Sequence, residues 1–241
     1  MRTYINIGLQ IIIGFVLVDI FSGAIHWFED TYLDYCVDIP LISELAKDNE
    51  LHHYFPRTMV AFTYFGNMRN TLIIFVIILL ILYLVFRKSF FKYPFFMASF
   101  IFWGSTVNLF HRFSHMRECE NHFIITYLQK TGILCSHKHH SMHHQTVDSK
   151  YCVLSEYTNY LLDSIHFWRV LEYIVFVFTN IKPDRKPAYD DYAEIHNYMH
   201  ENAKLECPDR PTLQDIEILH LWTFKLPSYL SNSAFGGIID T

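Results

Sequence analysis

The chain has 241 residues, of which 51% are hydrophobic and 17% aromatic, and its formal net charge at pH 7 is −5. This composition is too apolar for an ordinary soluble domain and too charged for a chain made only of membrane spans. The negative charge also argues against nucleic acid as a partner. We therefore expect a membrane protein with sizeable polar segments.

The cysteines are odd in number and none has C-x-x-C spacing. They are Cys36, Cys119, Cys135, Cys152 and Cys207. This pattern predicts neither a disulfide framework nor a structural zinc ribbon. Reduced thiols on a cytosolic face agree better with this number and spacing of cysteines.

The first predicted element is a membrane helix over residues 4–28, with an apolar run from Ile5 to Ile25. A signal peptide is the alternative, but no small-residue cleavage site precedes Glu29. Polar side chains three or four positions apart follow one face of its C-terminal end, and these are Asp19, Ser22, His26 and Asp30. Ionisable groups at the end of a membrane helix are costly, so they indicate a functional site.

Two further apolar runs predict a pair of membrane helices. The run Thr71–Phe86 holds 16 residues without a charge, which is roughly 24 Å of helix and sufficient when flanking residues are added. The run Pro94–Phe110 is the third candidate span, and residues 87–93 form a short basic turn between the two.

Residues 160–178 predict an amphipathic helix that lies in the membrane interface, because charged and polar side chains recur at three-residue steps. These are Asp163, His166, Arg169 and Glu172. Residues 173–178 are uncharged and offer a fourth span as the alternative. A linker over 182–187 then leads to a polar segment with predicted helices near 190–204 and from 212, in which we interpret His196 and His200 as surface residues.

The densest histidine segment is 136–144, which contains the pattern H-H-x-x-H-H. On a helix, His139 lies one turn from His143, and His140 lies one turn from His144. Neutral imidazole is a common ligand for zinc, copper, iron and nickel. A surface histidine run is the alternative, but short histidine-rich tracts are typical of metal binding.

Topology brings the histidines together. If the three apolar runs each cross the bilayer, segments 26–70 and 111–160 emerge on one face and carry every dense histidine group. We predict as metal ligands His26, His52, His53, His111, His115, His139, His140, His143 and His144. Nine histidines exceed what one metal ion needs, so two ions fit better. Asp30 is then either a carboxylate ligand or a hydrogen-bond partner that orients a ligand.

The expected fold is an all-α integral membrane bundle of three to four spans plus an interfacial helix, with histidine-rich loops on one face. Nitrogen-rich ligation favours iron over calcium or magnesium, and oxidation of a membrane substrate over hydrolysis. The histidine face carries eight Lys/Arg before residue 160 and the opposite face four. The positive-inside rule therefore places the histidine face in the cytosol.

Four motifs follow one another along the chain. They are Asp19-x-x-Ser22-Gly23-x-x-His26-Trp27-x-x-Asp30-Thr31, His52-His53 followed by Pro56, Asn108-x-x-His111-x-x-Ser114-His115, and Lys138-His139-His140-x-x-His143-His144. Shorter matches follow at Tyr151-Cys152, Asn159 and Phe167-Trp168-Arg169-x-Leu171-Glu172. Together they resemble the signature of the Kua family of membrane lipid desaturases, over about residues 15–185.

The resemblance implies a two-iron site and O₂-dependent dehydrogenation of a lipid chain, with electrons from a b-type cytochrome and its NAD(P)H reductase. It implies a desaturase domain over residues 1–187, a polar extension over 188–241, and location in the endoplasmic reticulum. Asp30 and Asn108 are the predicted catalytic residues, from the first and third motifs. For a plasmanylethanolamine substrate the product is a vinyl ether, the bond that defines plasmalogens.

The chain departs from the family pattern at two places. Phe62-Thr63-Tyr64 stands where the family has a His-Asp pair and an acidic residue, and Glu156-Tyr157 replaces a Gly-Trp pair. His137 and His166 are additional histidines that we do not predict as ligands. The alternatives are an acyl-lipid desaturase or hydroxylase with the same site, a catalytically inactive relative, and a non-enzymatic metal-binding membrane protein. A metal transporter would place its ligands at mid-bilayer depth, whereas the predicted ligands of this chain lie at helix ends and in loops on one face.

Overall fold

The computed structural model describes residues 2–33, 39, 42, 49, 52–53, 56–61, 63–87 and 91–183. All regular secondary structure in this part of the chain is helical, which confirms the all-α prediction there. The helices are α1 (Arg2–Tyr32), α2 (Thr58–Ala61), α3 (Tyr64–Val85), α4 (Pro94–His115), α5 (Phe123–Lys130), α6 (His137–Thr146), α7 (Glu156–Ser164) and α8 (Phe167–Thr179).

Two helices in the part of the chain that the structure describes are long and apolar enough to cross a membrane. The candidate spans are Tyr4–Tyr32 within α1, with 29 residues, and Tyr64–Val85, which is α3, with 22 residues. Both exceed the roughly 30 Å of a hydrocarbon core, and most of their side chains face outward from the protein. The third span stays a prediction, because α4 is not among these candidates.

Helices α1 and α4 pack closely along their lengths. A Cβ atom on Gly14 of α1 would lie 2.8 Å from the Cβ atom of Ser99 in α4, so the glycine permits this approach. Ser99 Oγ donates a hydrogen bond to the carbonyl oxygen of Ile11 at 2.8 Å. The apolar core beside this contact contains Val18, Phe75, Phe100, Val107, Val153 and Leu154. The pairing of α1 with α4 brings the polar C-terminal turns of both helices together.

Polar side chains join α4 to α3 and to the segment before it. Asn108 Nδ2 donates to the Asn67 carbonyl oxygen at 2.9 Å and to Thr71 Oγ1 at 2.6 Å. Arg112 Nη2 donates to the Val60 carbonyl oxygen at 2.8 Å. These bonds anchor the segment that follows His52 and His53 against α4.

The prediction of one continuous interfacial helix over 160–178 is wrong. The chain forms α7 and α8 instead, separated at His166, whose φ of 54° lies in the left-handed region. The His166 amide donates to the Asp163 carbonyl oxygen at 3.0 Å and closes the turn. Trp168 Nε1 donates to Asp163 Oδ1 at 3.0 Å. The three-residue charge spacing continues across this break, so periodicity alone did not reveal it.

Among the cysteines, Cys135 and Cys152 are buried free thiols. Cys119 is disulfide-bonded, so the expectation of reduced thiols is wrong for this residue. The predicted helices near 190–204 and from 212, and the predicted boundary at 187, lie outside the described residues.

Candidate metal site

Helix α6 carries the H-H-x-x-H-H segment. Ser136 is its N-cap, and its Oγ accepts a hydrogen bond from the His139 amide at 3.2 Å. The helix ends at Thr146, and its C-cap is Val147, whose φ of 49° is left-handed. Buried side chains on α6 are His139, His140, His143 and His144. A helix of four buried histidines is not a solvated surface run, so the alternative of an exposed tract does not hold.

One cluster contains only imidazoles, and we call it the all-histidine group. Its members are His52, His115, His140 and His144, all buried, with ligand nitrogens within 4.8 Å of one another. The Nε2 atoms of His140 and His115 are 3.1 Å apart, and those of His144 and His140 are 3.0 Å apart. Nitrogens at right angles around a metal are about 3.0 Å apart for bonds of about 2.1 Å. The spacing therefore suits one ion.

His111 lies beside the all-histidine group. Its Nε2 atom is 2.8 Å from His140 Nε2 and 3.2 Å from His115 Nε2. His111 and His115 are one turn apart at the end of α4, as their spacing predicts.

A second cluster includes a carboxylate, and we call it the carboxylate group. Its members are His26, Asp30, His53 and His143. Asp30 Oδ2 lies 3.2 Å from His143 Nε2 and 3.6 Å from His26 Nε2, and Asp30 Oδ1 lies 3.1 Å from His53 Nε2. The Asp30 side chain is 1% exposed, so its charge is removed from water. A buried carboxylate facing three imidazoles needs positive charge nearby, which a bound cation supplies.

Backbone carbonyls fix the orientation of three rings. His26 Nδ1 lies 3.1 Å from the Tyr151 carbonyl oxygen, and His143 Nδ1 lies 2.7 Å from that of Ser149. His52 Nδ1 bonds the Asn49 carbonyl oxygen in the same way. A carbonyl oxygen only accepts, so each Nδ1 carries the proton and each neutral ring directs the Nε2 lone pair inward.

Several atoms that face into the two groups lack hydrogen-bond partners. Buried atoms without such a partner include Nε2 of His26, His52 and His143, and Oδ2 of Asp30. Buried polar atoms are almost always paired, and these are the atoms that point into the two groups. The residues present therefore fit metal ions in both groups.

The electrostatic environment keeps the all-histidine group neutral. Burial, together with the neighbouring imidazoles, holds the pKa of His52, His140 and His144 well below its usual range. Burial disfavours the imidazolium form because a charge is poorly solvated there. Neutral imidazole is the form that binds metal.

Asn49 connects the two groups, and sequence reasoning missed it. Its side-chain Nδ2 donates to Asp30 Oδ1 at 2.8 Å, while its backbone carbonyl oxygen accepts from His52 Nδ1. It therefore orients one ligand in each group. Asn49 belongs to none of the four motifs, and a lone asparagine in a polar segment offers no sequence signal.

Two predicted residues lie elsewhere among the described residues. His139 is outside both groups, with its Nδ1 atom 3.8 Å from Glu156 Oε2 and its ring against Tyr160. Asn108 makes its amide bonds to α3, and no described contact joins it to either group. Their predicted roles as ligand and catalytic residue stay predictions. The remaining predicted site residues meet in or beside the two groups.

The described residues define a class: a helical protein with two helices suited to a membrane and two adjacent, largely buried, histidine-rich groups that could each hold a metal ion. Residues 15–186 match the lipid desaturase domain, and the chain belongs to this family. The resemblance to Kua-type desaturases is therefore confirmed, and family membership makes the chain an oxidoreductase of lipid metabolism.

Similar proteins come from a virus, a plant and an animal. The chain is 30% identical over 186 residues to the probable fatty acid desaturase of Acanthamoeba polyphaga mimivirus, covering 76% of this chain and 90% of that protein. It is 28% identical over 171 residues to fatty acid desaturase 4-like 2, chloroplastic, of Arabidopsis thaliana, covering 70% and 60%. It is 26% identical over 184 residues to plasmanylethanolamine desaturase 1 of Mus musculus, covering 73% and 67%. No solved structure matches the chain.

Proposed function

We propose that this chain is an O₂-dependent lipid desaturase that holds two iron ions, one in the all-histidine group and one in the carboxylate group. The observation that carries the proposal is the presence of two adjacent, largely buried ligand sets, in which Nε2 of His26, His52 and His143 and Oδ2 of Asp30 lack hydrogen-bond partners. Membership of the lipid desaturase family supports the reaction class. Bound iron would supply the dioxygen activation that dehydrogenation of an unactivated chain requires.

The proposed reaction removes one hydrogen from each of two neighbouring carbons and leaves a double bond. Dioxygen is reduced to two water molecules, which takes four electrons and four protons in total. The lipid supplies two hydrogen atoms, and an external donor supplies the other two electrons while two protons come from solvent. We propose a b-type cytochrome with its NAD(P)H reductase as that donor.

The chain's own residues hold the ligands rigid and exclude water. The ligands of α1 and α4 lie in the last turns of these helices, at His26 and Asp30 and at His115. Apolar helix surface precedes them in both cases. A lipid chain lying beside α1 would therefore present its polar end near the two groups.

The best single substrate is plasmanylethanolamine, with the double bond formed between the first two carbons of the ether-linked chain. The mouse relative, which is 26% identical to this chain, is named for this activity. The second candidate is desaturation of an acyl lipid. The viral and plant relatives, named as fatty acid desaturases at 30% and 28% identity, favour it. Hydroxylation at the same site and metal binding without catalysis are the remaining alternatives, and product analysis separates them.

We propose location in the endoplasmic reticulum membrane. The lysine and arginine distribution favours a cytosolic histidine face, whereas the Cys119 disulfide favours an oxidising compartment for its segment. Thiol labelling of intact and permeabilised vesicles at a cysteine placed at Lys138, an exposed residue of α6, distinguishes the two orientations.

The decisive experiment is lipid mass spectrometry on cells that lack vinyl ether lipids and are fed an alkylglycerol. Acid-labile vinyl ethers that appear with the chain and vanish with His143→Ala would support both substrate and site. A new double bond in another lipid would replace the ether substrate with an acyl lipid. No new lipid together with no bound iron would overturn the enzymatic proposal.

A further inference from the structure

Residues 151–155, which we call the connecting segment, are the last part of the connection between α6 and α7. They have no regular secondary structure and are buried throughout. Backbone groups buried in this way need hydrogen-bond partners. Side chains from α1 and α7 supply most of them, because Asp19, His26 and Asn159 all bond to this backbone. The connecting segment is therefore held by tertiary contacts.

One peptide unit in this segment touches the metal site. The carbonyl of Tyr151 accepts the hydrogen bond from His26 Nδ1 at 3.1 Å. The N–H group of Cys152, in the same planar peptide, donates to Asn159 Oδ1 at 2.9 Å. Because a peptide unit rotates as a rigid plane, the bond at its N–H end also sets the direction of its carbonyl.

Asn159 binds both polar groups of Cys152. Besides accepting from the N–H group, its Nδ2 donates to the Cys152 carbonyl oxygen at 2.7 Å. The side chain is fully buried. A carboxamide offers an acceptor and a donor side by side, a pair that neither an ionised aspartate nor a leucine can reproduce.

Helix α1 also holds the connecting segment. Asp19 accepts from the Leu154 amide at 2.8 Å and from the Ser155 amide at 3.0 Å. Gly23 leaves space for the segment, since a Cβ atom there would lie 2.6 Å from Cys152 Sγ. Asp19, Gly23 and His26 are spaced four and three residues apart, so they share one face of α1.

We propose that Asn159 is a positioning residue of the metal site. Through the Tyr151–Cys152 peptide, it holds the His26 ring with the proton on Nδ1 and the Nε2 lone pair directed into the carboxylate group. The identity of the ion rests on the proposed function, whereas the protonation of His26 is a property of the chain itself. A role in packing alone would leave that protonation unchanged.

Nitrogen NMR on ¹⁵N-histidine-labelled, metal-free protein tests the proposal. The His26 resonances are assigned by their loss in His26→Gln. We expect one tautomer, protonated on Nδ1, in the unaltered chain and a mixture of both tautomers in Asn159→Leu. Asn67→Leu is the matched control, because Asn67 is also buried and its amide bonds backbone carbonyls, those of Met59 and Thr63. It should leave His26 unchanged.

Metal titration gives a second readout. Asn159→Leu should weaken iron binding in the carboxylate group by about ten- to hundred-fold, the usual cost of removing a residue that orients a ligand. The all-histidine group should keep its affinity. An unchanged His26 tautomer and unchanged affinity in folded Asn159→Leu protein would overturn the proposal.

A second variant covers the case in which Asn159→Leu does not fold. Gly23→Ala displaces Cys152 by steric contact and should produce the same tautomer mixture, whereas a single Nδ1-protonated tautomer in this variant would overturn the proposal. If the unaltered chain binds no iron, the proposed function fails, and the NMR measurement on metal-free protein still decides this inference.

Discussion

The all-histidine group and the carboxylate group differ in one type of ligand. The all-histidine group presents only neutral nitrogen atoms, whereas the carboxylate group replaces one imidazole by Asp30. In a buried, low-dielectric setting, a negative ligand favours the more highly charged state of a metal ion. The two ions would therefore be inequivalent, with the carboxylate group better suited to hold oxidised iron.

The same two histidine pairs contribute to both groups. His52 and His144 belong to the all-histidine group, whereas their neighbours His53 and His143 belong to the carboxylate group. Consecutive residues on a helix point about 100° apart, so a pair can serve two adjacent ions. The helix that carries the H-H-x-x-H-H pattern therefore contributes side chains to both the all-histidine group and the carboxylate group.

The largest expected effect comes from removing one ligand of each group. His144→Ala should remove the ion of the all-histidine group, and His143→Ala should remove that of the carboxylate group. Each variant should keep about half of the bound metal, because only one group loses a ligand, and lose turnover. Metal-to-protein ratios by mass spectrometry check this. His166→Asn, at an exposed left-handed position, is the control. Full metal content in either alanine variant would contradict the division into two groups.

Asp30→Asn tests the difference between the groups directly. The amide keeps the shape of the side chain but removes its negative charge, so iron binding in the carboxylate group should weaken by about a hundredfold or more, beyond the usual range for residues that only orient a ligand. The all-histidine group should stay loaded. Spectroscopy of samples with one and two equivalents of iron measures the occupancy of each group. Equal loss from both groups would show that Asp30 serves them jointly.

The pair His139→Gln and His140→Gln separates the pattern-based prediction from the geometry. His139 lies outside both groups, whereas His140 Nε2 is within 3.1 Å of two other ligand nitrogens. His139→Gln should keep both metal equivalents, and His140→Gln should lose one. Loss of metal in both variants would support His139 as the additional ligand that the sequence predicted.

Asn49→Ala should have a smaller effect on metal binding. Its amide donates to Asp30 Oδ1 at 2.8 Å, so its removal loosens the carboxylate without removing a ligand. We expect about a tenfold loss of affinity in the carboxylate group, the lower range for such partners. Competition with a chelator measures it. The affinity of the all-histidine group should stay constant, because His52 bonds the backbone of Asn49.

The smallest expected effect concerns stability. Arg57 donates two hydrogen bonds to the Glu120 carboxylate, at 2.8 Å and 2.7 Å, and joins the segment after His53 to the loop after α4. Glu120→Gln should lower the free energy of unfolding by about 1.5–3 kcal/mol, the range for hydrogen bonds to charged groups. Thermal unfolding in detergent measures this change. An unchanged unfolding temperature would show that the pair contributes nothing.

The same pair predicts a pH dependence. Burial raises the pKa of the Glu120 carboxyl, but the hydrogen bonds from Arg57 and from the Arg117 amide, together with the charges of both arginines, hold that pKa below its ordinary value. The stabilisation is therefore complete above the pKa of the unfolded carboxyl, about 4.3. It is lost as the pH falls through the lower folded pKa. Glu120→Gln should remove this part of the acid dependence.

Sequence alone predicted the family and most of the helices. Apolar runs predicted α1, α3 and α4, and the histidine spacing predicted a helical metal-binding segment at α6. These are local properties, because helix formation and the face on which a side chain lies follow from neighbours within a turn or two. The ordered motifs also identified the family from residues that are scattered in the chain.

Tertiary structure alone decided how the histidines are divided. Whether His53 joins His52 or Asp30, and whether His139 faces the metal or Glu156, depends on how α1, α4 and α6 pack together. The bond between His26 and the Tyr151 carbonyl joins residues 125 positions apart. No local sequence pattern predicts such a contact, because it forms only when the helices and the connecting segment pack against one another in the folded chain.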